Sequence, residues 1–406
     1  MPSHPIVQLN RFEFRRIRAG HPWVYERSIA SIPDELQDGT LVSVQGPRQE
    51  QLGTAIYNAS SKIRLRIVDP RIDIALDSAF FAERLSRALE YRRQLLPRRT
   101  CFRLISAESD GLSGLIIDCY EAATLFQITS VGIERHKDAL ISAIHDVLKP
   151  AILIERNDVP NRKWEGLTQI RKIHCDGGSS EAELRDYPIQ LEGTRYQLNL
   201  IEGNKTGLYL DQIDNHQRLR ALLAAYPAPR VLDCFSYIGG FSLAAAMADP
   251  QAKVIGIDQS AECIDKARHN AALNEVESQT EFIQSNVFEW LRTQSESDSA
   301  LGSFDCIILD PPSFTKNRHT IDGAIRGYKE LHVRALKLLR SGGLLLTYSC
   351  SHHISEDLLR SIAFEAALDT HTHLVELESQ RQSLDHPVVP HIPESYYLKG
   401  FVYRKQ

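Results

Sequence analysis

The second half of the chain alternates short apolar segments with stretches of helical period. Strand-like runs at 231–232, 254–257, 282–283, 306–309 and 344–348 are separated by helical patterns at 241–247, 261–273, 287–291 and 328–339. Regular alternation of this kind predicts a mostly parallel sheet with helices on both faces. We expect 396–398 and 401–403 to add antiparallel strands at one edge, for roughly seven strands in all.

The first half of the chain shows a different pattern. Residues 1 to about 75 contain short alternating runs broken by turn residues, which favours a small β-rich module. A helical period follows over about 79–96 and again over 134–148, with strand-like segments between them. The chain is therefore predicted to hold three domains: 1–75, β-rich; 76–185, mixed α/β; and 186–406, α/β with the parallel sheet.

Composition narrows the class of protein. A chain of 406 residues with 43% hydrophobic content is too long for one ordinary core. The net charge of −5 argues against a protein that coats nucleic acid without specificity. Seven cysteines without close pairing favour a reduced, cytoplasmic protein, and no apolar run approaches the ~18–20 residues of a membrane span. The oligomeric state stays open, with a homodimer as one option.

One strand-to-helix turn has the features of a nucleotide-like cofactor site. Residues 233–241 read DCFSYIGGF, and paired glycines let the backbone approach a ligand while the following helix favours an anion. Asp258 ends the next strand about 20 residues later, where an acid can accept both hydroxyls of a ribose. The alternative for the glycines is a tightly packed turn without a ligand, and the alternative for Asp258 is an ordinary helix-capping role. A dinucleotide is disfavoured because Gly-x-Gly-x-x-Gly is absent.

A carboxylate and a thiol follow the next two strands of the predicted sheet. Asp310 ends an apolar run and precedes two prolines, which cannot continue a strand ladder, and Phe314 lies close enough to stack on a planar base. The alternative is that Asp310 and the two prolines only end the strand. Cys350 lies beyond its apolar run, between two serines, whereas the other six cysteines are predicted to be packing residues.

These groups fit methyl transfer to carbon 5 of a pyrimidine. That carbon is a poor nucleophile, so methylating it requires a transient bond at carbon 6, which a thiolate forms well. A free cysteine is only about 3% ionised at pH 7, so the site should raise that fraction. Asp310 is expected to contact the ring nitrogen and exocyclic group and to stabilise the adduct.

Together these segments resemble the bacterial 23S ribosomal RNA cytosine-5 methyltransferases that carry an amino-terminal PUA domain. The resemblance covers nearly the whole chain. Besides 233–241, 310–314 and 349–351, the matching motifs are HPWVY at 21–25, ESDGLSGL at 108–115, KTGLYLDQ at 205–212, RGYK at 326–329, DHP at 385–387 and YLKGF at 397–401.

The resemblance implies a PUA module, a small middle domain and a Rossmann-like class I methyltransferase domain that uses S-adenosylmethionine (SAM), with 23S ribosomal RNA as partner and no metal. Cys350 would be the nucleophile and Asp310 its catalytic partner. The residues implied to bind the cofactor are Lys205, Thr206, Tyr209, Asp211, Gln212, Phe235, Ser236, Tyr237, Gly239, Asp258, Asn286 and Asp310. Those implied to bind the substrate are Arg15, Arg16, Pro311, Phe314, Arg326 and Tyr328.

Arginines supply two candidate RNA-contacting faces despite the acidic total. The first comprises Arg11, Arg15, Arg16, Arg18, Arg64 and Arg66, and the second Arg92, Arg93, Arg98, Arg99 and Arg103. The alternative for both arginine clusters is that they are ordinary solvent-exposed helix surface.

Three positions depart from the family pattern and keep other functions open. Ile213 replaces an arginine, Asn286 an aspartate and Ser313 a cysteine. Without that cysteine, the base that removes the carbon-5 proton could be water, Asp310, or one of the histidines at 352–353. Methylation of a base nitrogen, which needs no thiol, is the alternative enzyme. An inactive SAM-binding RNA chaperone is the alternative from another class.

Overall fold

The computed structural model describes residues 4–203, 205–315 and 320–406. Contacts group the chain into two compact units. The first comprises Met1–Ile189, Leu198–Leu210 and Leu384–Ser395, and the second Gln190–Gln197, Asp211–Ser383 and Tyr396–Gln406. The domain bounds at 75/76 and 185/186 stay predictions.

The first unit begins with a six-stranded sheet, in the order β2-β6-β5-β4-β1-β3. Its strands are β1 (Ile6–Leu9), β2 (Trp23–Tyr25), β3 (Ile29–Ser31), β4 (Leu41–Gln45), β5 (Gln51–Tyr57) and β6 (Ile63–Asp69), and α1 spans Phe14–Arg18. Only β1 and β4 pair in parallel. Alternating apolar residues such as Val7, Val24 and Leu65 are fully buried and form its core.

A five-stranded mixed sheet follows in the same unit, in the order β11-β10-β9-β8-β7. It comprises β7 (Cys101–Ser106), β8 (Leu115–Tyr120), β9 (Ala123–Ile128), β10 (Ile152–Asn157) and β11 (Ile170–Asp176), with helices α2 (Ser78–Leu95), α3 (Val131–Arg135), α4 (Lys137–Leu148) and α5 (Glu181–Arg185). The Asp77 side chain caps α2 by accepting from the Phe80 N–H. Leu85 of α2 and Leu140 of α4 are fully buried in the core against this sheet.

The second unit contains a seven-stranded sheet in the order β16-β15-β14-β17-β18-β20-β19, preceded in the chain by the hairpin of β12 (Tyr187–Leu191) and β13 (Thr194–Leu198). The strands are β14 (Arg230–Cys234), β15 (Lys253–Asp258), β16 (Thr280–Gln284), β17 (Phe304–Leu309), β18 (Leu339–Ser349), β19 (Leu374–Arg381) and β20 (Lys399–Lys405). The helices are α6 (Ile213–Leu223), α7 (Gly240–Ala246), α8 (Ala261–Leu273), α9 (Val287–Ser295), α10 (Ile321–Leu338) and α11 (Glu356–Asp369).

The predicted fold class is confirmed, with two corrections near the end of the chain. The strands from β16 to β18 are parallel, and β20 and β19 complete the sheet in antiparallel orientation. Residues 396–398 are not a strand, and β20 lies inside the sheet rather than at its edge. The edge strand is β19, which the hydrophobic pattern missed because its sequence, LVELESQR, is largely polar and solvent-facing.

Helix α10 is also longer than the hydrophobic pattern indicates. α10 begins at Ile321, seven residues before the predicted start at 328.

Within the described ranges, no helix has both the length and the apolar content needed to cross a bilayer.

Candidate active site

Four loops of the second unit meet at one edge of its sheet. In the parallel register, Cys234 of β14 lies beside Ile257 of β15 and Leu309 of β17, and Leu309 lies beside Thr347 of β18. The residues that follow these strands therefore emerge together at the carboxyl edge, which is where open α/β sheets bind ligands. At that edge lie the glycine-containing loop after β14, Asp258 at the end of β15, Asp310 after β17 and Cys350 after β18.

The loop after β14 has an unusual backbone. Phe235, Tyr237 and Gly239 have φ values of 67°, 49° and 91°, in the left-handed region. This conformation is strained for Phe235 and Tyr237, because they carry side chains. Hydrogen bonds hold this conformation, because Ser236 N donates to Ile257 O at 2.9 Å and Gly239 N to Ser236 O at 2.8 Å. A Cβ at position 239 would meet the Phe282 ring at 3.3 Å, so the turn requires glycine.

Asp258 supports the same loop through both carboxylate oxygens. Oδ2 accepts from Tyr237 N at 3.0 Å, and Oδ1 accepts from Ser260 N at 2.9 Å. The side chain is half-buried and faces the loop. Its predicted contact with a ribose stays a prediction, but the geometry adds an anchoring role that the sequence pattern did not indicate.

Asn286 lies at the end of the next loop along the sheet and caps α9. Its Oδ1 accepts from Phe288 N at 2.9 Å and Glu289 N at 3.3 Å, and the residue is exposed. Its predicted contact with the cofactor stays a prediction. The Asn286 Oδ1 atom already accepts both of these hydrogen bonds, and its amide nitrogen is the group left to donate to a ligand.

A buried acid lies beneath the loop. Asp233 is 1% exposed, and its Oδ2 accepts from Ser242 Oγ at 2.6 Å. Burial raises the pKa of Asp233 to about 7, and the Asp258 charge adds to the rise. The carboxyl group is therefore substantially protonated at neutral pH.

This shift predicts a pH-dependent stability. The folded-state pKa lies above the ordinary value of 3.8, so the folded chain binds the extra proton and loses stability as the pH rises from about 4 through about 7. Between pH 5 and pH 8, the free energy of unfolding of an Asp233→Asn variant should fall by about 2.5 kcal/mol less than that of the parent chain. Urea unfolding at both pH values measures this difference. The exposed Asp265→Asn is the control, and an equal pH dependence in Asp233→Asn and the parent would contradict the assignment.

The carboxylate after β17 is held by side chains from α6 and the turn before it. Gln212 Nε2 donates to Asp310 Oδ2 at 3.0 Å. Asn215 Nδ2 in turn donates to Gln212 Oε1 at 2.6 Å and to Arg381 O at 3.1 Å, which fixes the orientation of the Gln212 amide. Asp211 is buried, and its Oδ2 accepts from Tyr397 OH at 2.7 Å. Sequence analysis assigned no role to Asn215, whose second partner Arg381 is distant in the chain, or to Tyr397, whose partner Asp211 is similarly remote.

The remaining predicted cofactor residues belong to the first unit. Thr206 is fully buried, donates to Asp118 Oδ2 at 2.6 Å and lies 3.0 Å from the Tyr120 hydroxyl. The Lys205 ammonium lies 4.3 Å from the centre of the Tyr209 ring. Their cofactor contacts stay predictions.

Cys350 differs from the other cysteines in its exposure. It follows the last residue of β18 and is exposed, whereas Cys101, Cys119, Cys234 and Cys306 are buried. Burial raises the pKa of the Cys101 and Cys119 thiols to about 12 and raises the pKa of the Cys234 thiol well above its usual value, which makes all three poor nucleophiles.

Buried neighbours fix the chain on both sides of this thiol. Ser349 and Ser351 are fully buried, and the Tyr328 hydroxyl donates to Ser349 Oγ at 2.9 Å. Ser351 Oγ lies 3.0 Å from Ser313 Oγ, so the turns after β17 and β18 are joined by a hydrogen bond.

A row of aromatic rings leads away from the cofactor loop. Phe235, Phe288, Phe314 and Tyr328 follow one another with ring centres 6.4, 5.8 and 4.9 Å apart. Phe288, Phe314 and Arg326 line an open pocket of about 620 Å³. Tyr328 is 1% exposed, so the structure places it beneath this pocket rather than on its surface, and Pro311 is also buried.

The arginine clusters are only partly at the surface. Arg15 is exposed, and Arg16 contacts the His21 ring and Trp23 O. The second cluster needs correction, because Arg92 and Arg103 are buried and form bidentate ion pairs with Asp110 and Asp118. Arg66 of the first cluster is likewise buried, against Glu108 and Glu165. The described part of the chain holds no group of three or more His, Cys, Asp or Glu residues suited to a metal ion.

Comparisons with known proteins decide the family. Residues 7–70 match the PUA-like domain, and residues 171–404 match the S-adenosylmethionine-dependent methyltransferases. The Ribosomal RNA large subunit methyltransferase I of Shigella dysenteriae serotype 1 is 36% identical over 387 residues, which cover 95% of this chain and 94% of that protein. Its namesake from Alteromonas mediterranea is 36% identical over 406 residues, covering 99% and 98%. This chain belongs to that family.

Solved structures share the fold. A candidate SAM-dependent methyltransferase from Streptococcus mutans has a TM-score of 0.82 at 21% identity, with 98% of this chain and 100% of that chain covered. SMU.776, a candidate methyltransferase complexed with SAH, also gives 0.82 at 21% identity, with 98% and 99% covered. Identity this low shows the fold alone. Family membership confirms the predicted PUA-like module and the predicted cofactor, SAM.

The residues after β14 and β15 suit this cofactor. At Gly239 φ is positive and a Cβ would meet the Phe282 ring at 3.3 Å, so glycine suits the tight turn into α7 that brings the loop backbone to the sheet edge. Asp258 supplies an acidic side chain at the end of the adjacent strand.

Proposed function

We propose that this chain methylates carbon 5 of a cytosine in 23S ribosomal RNA, with Cys350 as the nucleophile. The observation that carries the proposal is an exposed thiol placed directly after β18, at the sheet edge that also bears Asp310 and the cofactor loop. Relatives named ribosomal RNA large subunit methyltransferase I support the class of RNA. Cytoplasmic location and a homodimer stay predictions.

The chain's own groups account for the activation of the base. The Cys350 thiolate adds to carbon 6 of the cytosine, and the electron pair of the 5,6 double bond moves towards carbon 5. Asp310, held by Gln212, would accept a hydrogen bond from the exocyclic amine and would stabilise a proton taken up from solvent at the ring nitrogen, which neutralises the negative charge that develops on the ring. When bound, SAM supplies an electrophilic methyl group. A base then removes the carbon-5 proton, and the thiolate leaves carbon 6.

Several residues would prepare the site for this chemistry. Phe235, Ser236, Tyr237 and Gly239 would hold the cofactor, because their loop is locked in one backbone conformation. Phe314 and Arg326 would receive the flipped base, since they line the open pocket beside the loop after β17. Ser313 cannot act as a strong base at neutral pH, and its hydroxyl donates to Thr315 O at 2.9 Å.

The test is the identity of the modified nucleoside. The purified chain, unmodified 23S ribosomal RNA and methyl-labelled SAM should yield 5-methylcytidine at one position, located by nuclease digestion and mass spectrometry. Naked RNA and assembled large subunits are compared in parallel. A label on a base nitrogen would overturn the carbon-5 chemistry. Retained SAM binding without any methyl transfer to either substrate would favour an RNA-binding chaperone.

A further inference from the structure

One buried cation lies beside the proposed nucleophile. Lys399 is the first residue of β20 and lies opposite Ser349, the last residue of β18, in the antiparallel register. It is 4% exposed, and its Nζ donates to Ser351 O and to Tyr397 O, both at 3.0 Å. The ammonium is therefore hydrogen-bonded to the residue that follows Cys350.

Keeping a charge at this position has a cost. Burial lowers the pKa of Lys399, while the negative charges of Cys350 and Glu356 favour its protonated form. A buried lysine without a role is expensive compared with an apolar residue of similar length. The two carbonyl acceptors use two of its three N–H donors and so favour the charged ammonium.

We propose that Lys399 is a positioning residue whose positive charge holds Cys350 in the thiolate form. The inference rests on the proposed role of Cys350 as nucleophile. The thiol proton passes to solvent, and Lys399 keeps its own protons throughout, so no further reactant is needed. A higher thiolate fraction at neutral pH then speeds addition to carbon 6.

Other charged and titratable groups lie around the thiol, and the nearby carboxylates would disfavour a thiolate without a cation. Two carboxylates lie at this end of the sheet, where the Asp310 charge adds to the effect of burial in raising the pKa of Tyr328, and the Glu356 charge opposes the effect of burial that lowers the pKa of Lys399. Tyr328 of α10 is kept neutral, because burial raises its pKa above the usual value. His352 and His353 follow in the same turn and have ring centres 5.6 Å apart. Lys399 is the cation that β20 contributes here.

The same strand offers a matched control. Lys405 ends β20, is half-buried, and its Nζ donates to Leu336 O and Leu339 O at 2.7 Å each. Burial also lowers its pKa. It therefore resembles Lys399 in bonding to two carbonyls, although it is less buried. Its partners lie where α10 ends and β18 begins, at the opposite end of β18 from Cys350.

The experiment follows alkylation of Cys350 by iodoacetamide in the full chain between pH 6 and pH 10. Mass spectrometry of the peptide that contains Cys350 excludes signals from the other cysteines. In Lys399→Met, the alkylation midpoint should rise by about one pH unit, which slows the reaction about tenfold at pH 7. Lys399→Arg should stay within about threefold of the parent, and Lys405→Met should keep the parent midpoint.

Two results would overturn the proposal. One is an unchanged midpoint in Lys399→Met; the other is an equal shift in Lys405→Met, which would mean that a general loosening of β20 is responsible. Lys399→Gln is a second neutral variant that keeps N–H donors for the carbonyls, and it should reproduce the Lys399→Met shift if the latter variant fails to fold. Because the assay needs neither RNA nor SAM, its outcome is independent of which nucleoside is methylated.

Discussion

A Cys350→Ala chain is expected to lose methyl transfer to ribosomal RNA by at least about 10³-fold while binding SAM as the parent does. The expected loss is large because alanine cannot form the bond at carbon 6 that makes carbon 5 reactive. The exposed side chain is not part of a core, so alanine should fold normally. Turnover is measured with labelled SAM and unmodified RNA, and cofactor binding by calorimetry.

Cys263→Ala is the matched control for this variant. That cysteine is partly exposed within α8 and should be replaceable with little effect on turnover. RNA with 5-fluorocytidine at the target position adds a direct readout, since fluorine cannot leave as a proton and the parent chain should stay covalently bound. Near-normal turnover of Cys350→Ala would instead indicate methylation of a nitrogen.

The parts of the site predicted from sequence are those encoded in short local signals. The glycine pair at 239–240, the two prolines after Asp310 and the serines around Cys350 each interrupt an apolar strand pattern. Parallel strands end at a common edge, so the alternation of strands and helices was enough to bring these loops to one sheet edge.

The parts that sequence did not reveal depend on residues far apart in the chain. Gln212 and Asp310 are separated by 98 positions, and the hydrogen bond between them gives no local pattern. Lys399 likewise contacts Ser351 only because β20 pairs with β18. The left-handed backbone at Phe235 was also invisible, because a non-glycine residue in this region is held there by its surroundings.

The predictions for the arginine clusters were partly wrong for a similar reason, because the partners that allow burial are distant in the chain. A basic side chain looks solvent-exposed in a helical pattern, yet Arg92 lies within α2 at 1% exposure because Asp110 compensates its charge. That partner lies 18 residues away, beyond β7. Sequence alone therefore overestimates the basic surface of the first unit.

The second large effect is expected from Asp258→Ala, which should raise the dissociation constant of SAM by about 100-fold. The substitution removes the proposed ribose acceptor and also releases Tyr237 N, so the loop after β14 loses one of the bonds that hold its backbone. Both consequences act on cofactor binding in the same direction. Isothermal calorimetry with SAM and with SAH measures the change directly.

Ser260→Ala separates this effect from damage to α8. Ser260 Oγ caps α8 by accepting from Cys263 N at 3.3 Å, and its loss should lower stability by about 1 kcal/mol while leaving Asp258 in place. We therefore expect Ser260→Ala to bind SAM within about twofold of the parent, because a lost cap acts on the helix and not on the ribose acceptor. An Asp258→Ala chain that binds SAM as tightly as Ser260→Ala would remove Asp258 from the cofactor site.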